Sequence, residues 1–271
     1  MNSMEKLVLP LSQAEDLSLV GGKARSLNEL LKAGFKTQDG FVITTVAFGN
    51  MNNKLEQEIL YYFDELGAQY VAVRSSAVAE DGKQDAWAGQ LETFLNISRS
   101  ELIDAVKKCW VSIDSARAKS YAAQKNINAG KVAVIVQPMT QSDSAGVAFS
   151  AHPVTKNVDQ VVIEAGLGLG EAVVSGQITP DTYVIDKKSN EILEKNISIQ
   201  SKKLVQGKNG KNIWQSLTGG DQQKLTDSQI KDIAEKAVLL EKRYGYPVDI
   251  EWMIKGPELF IMQCRPITTL S

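Results

Sequence analysis

The chain has 271 residues, 43% of them hydrophobic and 23% charged, and its 30 Lys plus Arg against 32 Asp plus Glu leave a net charge of −2. This is the balance of a globular protein with a substantial core, with no basic excess for nucleic acid and no basic amphipathic run for a membrane surface. No apolar run reaches the roughly 18 residues of a spanning helix, and the N-terminal MNSMEKLVLPLSQAEDL is too polar for a signal peptide.

Taken in order, KLVLP reads as a short strand, KARSLNELLKAG as a helix stopping at Gly34, and GFVITT as a β-branched strand. Asn50 to Gly67 has helical spacing, with Leu55, Ile59, Leu60 and Phe63 on one face. QYVAVRSS is again a strand. Ala77 to Gln90 fits neither period and reads as an ordered loop before the strand ETFLNI. Ser98, with Glu101 three residues on, has the form of a capping box opening a helix to about Lys125. KVAVIVQPM is a buried strand that should stop at Gln137-Pro138-Met139, because Pro138 has no N–H for a ladder.

AGVAFSA, QVVIEA, TYVID and EILEKNISIQ read as strands, and Gly207 to Gly220, rich in Gly, Asn and Lys, as a loop. Thr226 caps a helix over Asp227 to Tyr244 with Ile230, Ile233, Ala234, Ala237 and Leu240 inward. A hairpin, VDIEWMIKGPELFIMQCRPIT, closes the pattern. Strands dominate after about Gly130, which suggests subdomains at 1–129 and 130–271. Helices and strands without regular βαβ alternation point to an α+β fold rather than a Rossmann sheet. Cys109 and Cys264 lie far apart in apolar contexts and read as buried free thiols of a cytoplasmic protein.

Several short stretches have the residue types of a phosphate or metal site. Gly21-Gly22-Lys23 is not a P-loop, since Ala24 follows the lysine and Leu17 stands where the first glycine belongs. It reads either as an anion-approaching backbone with a point charge or as a plain helix entry. Arg74 ends a strand and suits either a rigid phosphate clamp or a surface ion pair. Gly166-Leu-Gly-Leu-Gly-Glu171 lacks the last glycine of a dinucleotide fingerprint, and Gly176 and Pro180 cut the following helix short. The single histidine, His152, excludes a zinc site built on several histidines and reads as a structural loop residue.

The hairpin supports a geometric argument. With a three-residue turn, Gly256-Pro257-Glu258, Glu251 lies opposite Gln263 and Arg265 points to the same face as both. Asp249 joins them on a hydrated face, while Ile250, Trp252 and Ile254 form the dry one. Carboxylate and amide oxygens are hard ligands suited to Mg²⁺, and a neighbouring guanidinium suits phosphate.

Together these pieces resemble the N-terminal nucleotide-binding domain of phosphoenolpyruvate synthase, pyruvate phosphate dikinase and rifampin phosphotransferase. VGGKARSLNELLKAGF, GFVITT, VAVRSSAVAEDGKQDAWAGQLETFLNI, VIVQPM, AGVAFSAHPVT, EAGLGLGEAVVSGQITPDTYVID and DIEW…LFIMQCRPIT occur in family order over nearly the whole chain. The resemblance implies an ATP-grasp fold, two α+β subdomains with the nucleotide cleft between them, using ATP and Mg²⁺. It assigns Lys23 and Arg74 to the ATP phosphates, and Ala86 to Thr93 to a glycine loop over them. In that loop Gly89, Gln90 and Thr93 fit, and Trp87 replaces the usual Phe. Gln137 and Met139 match the strand that meets adenine, Glu251 and Gln263 match the Mg²⁺ ligands, and Arg265 matches a phosphate contact.

The resemblance also implies partners: a separate phosphohistidine swivel domain, a substrate domain, or a small-molecule phosphoryl acceptor. Two departures stand out. Only Val46 to Gln69 separate GFVITT from VRSSA, where the family carries a long helical insertion. The family histidine is absent, and His152 matches a position usually held by Asn. The implied activity is therefore a dikinase-type phosphotransferase component. A catalytically incomplete ATP-binding regulatory module and a self-sufficient kinase or ligase are the alternatives.

Overall fold

The computed structural model describes residues 6–78, 92–113, 131–208, 210–267 and 270. The chain divides into two units, Met1–Met139 and Thr140–Ser271.

In the first unit the elements are β1 (Val8–Pro10), α1 (Leu17–Lys32), β2 (Phe41–Ile43), α2 (Asn53–Glu65), β3 (Val71–Ala77), β4 (Thr93–Ile97), α3 (Leu102–Ser112) and β5 (Val132–Pro138). The sheet runs β1-β2-β5-β3-β4, every neighbour antiparallel. β5 explains why the division falls after Met139 and not at 129/130: it is hydrogen-bonded to both β2 and β3 and cannot belong to the second unit. Alternation gives this sheet two faces. Val71, Val73, Val134 and Val136 enter a core with Leu55, Ile59 and Phe63 of α2 and Leu102, Val106 and Cys109 of α3. Ala72, Arg74, Ser76, Ile135 and Gln137 point to the other face, where α1 touches Ser76.

Local chemistry sets the helix starts. Asn52 caps α2 by accepting from the Leu55 N–H at 3.0 Å, and Leu55, Ile59 and Phe63 form its buried stripe, as the spacing predicts. Ser98 and Glu101 do bond to each other, the carboxylate accepting from the Ser98 N–H at 3.1 Å. They build a turn ahead of the helix rather than its first turn, and α3 begins at Leu102. The expected end near Lys125 lies outside the described residues.

The second unit contains β6 (Ser144–Phe149), β7 (Gln160–Leu167), α4 (Glu171–Val174), β8 (Asp181–Asp186), β9 (Ile192–Asn196), β10 (Lys202–Gln206), β11 (Asn212–Ser216), α5 (Asp227–Tyr244), β12 (Val248–Lys255) and β13 (Glu258–Pro266). A six-stranded antiparallel sheet runs β13-β12-β6-β7-β8-β9, and β10 and β11 form a separate hairpin. β11 corrects the reading of Gly207 to Gly220 as a loop. Asn212–Ser216 pairs along all of β10, and Lys202 lies 4.2 Å above the Trp214 ring. Gly207 and Gly210 bond within the turn that joins the two strands, and the composition around them hides a short strand.

Thr226 and Gln229 make a reciprocal capping box at the start of α5, and Gly245, at φ 73°, ends it. Ile230, Ile233, Ala234, Ala237 and Leu240 are buried as expected. α5 lies against Val161 and Ile185, whose face, by alternation and register, is that of Ile163, Ala148 and Ile250. The opposite face carries Glu251, Val147 and Glu164. Antiparallel pairing throughout both large sheets makes this an α+β chain, as expected. Cys109 and Cys264 are buried thiols not joined in a disulfide. Among the described residues, no helix is long and apolar enough to cross a membrane.

Candidate nucleotide and metal site

In the first unit the Gly-Gly-Lys segment is shaped by β3. Gly21, at φ 74° and ψ 170°, interrupts α1, which resumes at Gly22 and Lys23. A Cβ on Gly21 would lie 2.2 Å from the Ser76 carbonyl oxygen, so only glycine permits this approach. The Ala24 N–H donates to Ser76 Oγ at 3.2 Å, and Lys23 Nζ donates to the Ser75 carbonyl at 3.3 Å. Gly21 thus brings the lysine to the end of the strand that carries Arg74.

Arg74 stands opposite Thr93 of β4 and Ile135 of β5. Gln137 lies diagonally across the same face. Its Oε1 accepts from Arg74 Nη1 at 3.4 Å, and its Nε2 donates to the Gln38 carbonyl at 2.9 Å. Met139 ends the unit half-buried, its N–H donating to the Tyr70 carbonyl at 2.9 Å. Lys23, Arg74, Thr93 and Gln137 are therefore gathered at one face of one sheet. Gly89 and Gln90, with Trp87 and the rest of the expected glycine loop before Glu92, lie outside the described residues. Beneath this face burial raises the Cys109 thiol to about 12, against the opposing pull of a Ser75 hydrogen bond and the Lys23 charge, so the thiol stays protonated and inert.

The hairpin of the second unit pairs Glu251 with Gln263, as the register argument requires, but by another route. Its turn is the two-residue Gly256-Pro257, since Lys255 pairs with Glu258, and Trp252 then pairs with Ile261. The register shifts between Glu251 and Trp252, where Met262 is the extra residue on β13. This β-bulge restores Glu251 to Gln263 and Asp249 to Arg265.

Arg265 donates to a single oxygen of Asp249, through Nε at 2.9 Å and Nη2 at 2.7 Å. The other oxygen, Oδ1, is buried and has no hydrogen-bond partner. The face is drier than expected: Asp249 and Gln263 are 8% and 6% exposed, and Glu251 is half-buried. β12 is an inner strand flanked by β13 and β6, which walls in its polar side chains.

The sequence reading missed Glu164. Register places it on the same row as Glu251, with Val147 between them. Burial first, and the Asp249 carboxylate second, push its carboxyl above the usual range. Burial also raises Asp249, partly offset by Arg265 and reinforced by Glu251. The signal was present in VVIEA, where one acid interrupts an apolar strand. Such a residue has to face either water or a site.

A strained set of acids beside an orphaned carboxylate oxygen has the electrostatics of a cation site. Among the described residues no three His, Cys, Asp or Glu side chains converge tightly enough to hold a metal alone. Mg²⁺ commonly takes one or two protein oxygens and fills the rest of its shell from phosphate and water. Glu251 and Gln263 offer such a pair.

Two further expectations are resolved. His152 Nδ1 accepts from the N–H groups of Val154 and Thr155 at 3.2 and 3.3 Å, closing the β6–β7 turn, as its structural reading requires. In Gly166–Glu171 the glycines serve packing. A Cβ on Gly168 would lie 2.5 Å from the Leu204 carbonyl oxygen, and one on Gly166 would meet Ile178 and Val173. The helix that follows has only four residues, so no dinucleotide site is built there.

The first unit thus carries a cationic face and the second an acidic one, in a chain of α+β class. Residues 49–271 match the family described as pyruvate phosphate dikinase, AMP/ATP-binding domain, and the chain belongs to that family. It is similar to the probable phosphoenolpyruvate synthase of Archaeoglobus fulgidus, at 36% identity over 94% of this chain and 40% of that protein. It is also similar to the rifampicin phosphotransferase of Bacillus subtilis, at 34% identity over 98% of this chain and 36% of that protein. The chain thus spans less than half the length of these relatives. A solved D-alanine–D-alanine ligase from Bacillus anthracis aligns over 92% of this chain and 57% of its own, at TM-score 0.45 and 10% identity, too slight a likeness to assign a fold.

Proposed function

We propose that this chain is the Mg·ATP-binding component of a dikinase-type phosphotransferase with an ATP-grasp architecture. The observation that carries this reading is the bulged hairpin, which aligns Glu251 with Gln263 and sets Arg265 beside them. Glu251 and Gln263 are the groups that would hold Mg²⁺, which when bound neutralises phosphate charge. Lys23, Arg74 and Arg265 are the cations that bind the ATP phosphates in this reading, and Gly89, Gln90 and Thr93 also contribute to nucleotide binding. The backbone at the end of β5, Gln137 to Met139, meets adenine. Phosphoryl transfer needs little covalent help from the protein, and positioning plus charge compensation supplies most of its catalysis.

The acceptor in this reading is a histidine on a separate swivel-domain protein, or a small molecule. The supporting fact is similarity to phosphoenolpyruvate synthase and rifampicin phosphotransferase, proteins more than twice as long as the stretch they share with this chain. The test is to mix the chain with Mg·ATP and candidate histidine-domain proteins and to follow the nucleotide products. AMP with phosphohistidine supports the dikinase route. ADP favours a self-sufficient kinase or ligase. Tight binding without turnover in every mixture favours a regulatory module, a reading motivated by the short Val46 to Gln69 segment, in which α2 is the only α-helix.

A further inference from the structure

Gln137 stands on the strand expected to meet adenine, yet its side chain is turned into the first unit. The residue is 1% exposed. Its amide nitrogen is committed to the Gln38 carbonyl at 2.9 Å, which fixes the orientation of the amide and leaves Oε1 facing Arg74 Nη1 at 3.4 Å. Gly40 makes room for this arrangement. A Cβ there would fall 2.9 Å from Gln137 Cγ and 2.3 Å from the Val136 carbonyl oxygen. A buried amide anchored at one end and aimed at a guanidinium at the other is a brace, not a surface for reading a base.

We propose that Gln137 is a positioning residue for Arg74. Its carbonyl dipole, held by Gln38, fixes the guanidinium on the α1 face of the sheet, and it contributes to nucleotide affinity through the phosphates and not through the base. This rests on the reading of Arg74 as a phosphate group. Two consequences follow. Losing the amide weakens any polyphosphate regardless of base, and the loss vanishes once Arg74 is gone.

The experiment uses Gln137→Leu, Arg74→Ala and the double variant. Gln137→Asn, which keeps a buried amide one methylene short of Arg74, serves if Gln137→Leu does not fold. Calorimetry with Mg·ATP, Mg·GTP and inorganic tripolyphosphate should show the same loss for all three, about tenfold, and no further loss in the Arg74→Ala background. A loss confined to ATP, or losses that add, overturns the proposal. In the free protein, the ¹⁵N–¹H resonance of Arg74 Nε should broaden or move on Gln137→Leu. If wild type binds no polyphosphate, the functional reading fails, and this resonance alone decides: a signal unchanged by the substitution overturns the brace.

Discussion

Gly21→Ala tests how the Lys23 turn is built. Gly21 sits at φ 74° and ψ 170°, a region almost closed to residues with a Cβ, and occupying it costs about 1–3 kcal/mol. The added methyl would start 2.2 Å from the Ser76 carbonyl oxygen, so α1 and β3 must part by about 1 Å to reach ordinary contact. That opening breaks the Ala24–Ser76 and Lys23–Ser75 hydrogen bonds, each worth about 0.5–1.5 kcal/mol. The expected total is about 2–6 kcal/mol, felt in the first unit. Gly34→Ala is the control. Its φ is 79°, but nothing lies within 4 Å of the new methyl, so it should cost only about 1–2 kcal/mol. Urea unfolding, resolved by hydrogen exchange of β3 and β5 amides, compares the two. Displacing Lys23 by about 1 Å should also slow phosphoryl transfer by up to roughly 100-fold. If Gly21→Ala and Gly34→Ala destabilise equally, the close approach to Ser76 does not constrain the turn, and the account of Lys23 fails.

Glu251→Gln should weaken Mg·ATP binding by about 10–100-fold while leaving the unfolding midpoint nearly unchanged, because it removes a charge and keeps the shape; unfolding with metal affinity intact would place Glu251 in the fold and not in the site. Glu164→Gln should stabilise the protein at neutral pH. The wild-type carboxyl is raised, so the folded state resists ionising it, and stability falls as pH climbs through the ordinary carboxylate range towards the raised value. The gain from the substitution should therefore vanish at acid pH, where Glu164 is protonated folded or unfolded, and a gain independent of pH would contradict the cause given. Lys224→Met should cost about 3–5 kcal/mol in the second unit. It strands the fully buried Asp181, whose oxygen lies 3.0 Å from Lys224 Nζ, and urea unfolding measures it; Asp181→Asn with Lys224→Met should recover part of the loss.

Much of the fold was legible because its signals are local. The Thr226 cap and the stripe Leu55–Ile59–Phe63 each state their structure within a few residues. Three readings failed where pairing between strands was the deciding contact. β5 looks like the start of a new region, yet its partners are β2 and β3, far back in the chain. β11 is five residues beside a glycine-rich turn, and only its pairing with β10 makes it a strand. The hairpin shows how a right pairing can come from a wrong turn. Alternation required Glu251 and Gln263 to share a face, and a three-residue turn satisfied that requirement. The chain meets it with a two-residue turn and a bulge at Met262, which period-two reasoning cannot see.

The residues of the candidate site were legible as types, but their states were not. An acid in VVIEA, an arginine in VAVRSS and a glutamine in VIVQPM stand out against apolar strands. That Glu164 shares a row with Glu251 follows only from the pairing of three strands. That Gln137 turns to Arg74 follows only from the β3–β5 register and the space left by Gly40.

The most direct test of the central claim is calorimetric titration of the chain with ATP, with Mg²⁺ present and again with excess EDTA, repeated for Arg74→Ala and Glu251→Gln. The account predicts binding by the wild type that collapses in EDTA and in Glu251→Gln and is sharply weakened in Arg74→Ala. ATP binding of equal strength with and without Mg²⁺, and equal in both variants, would contradict it.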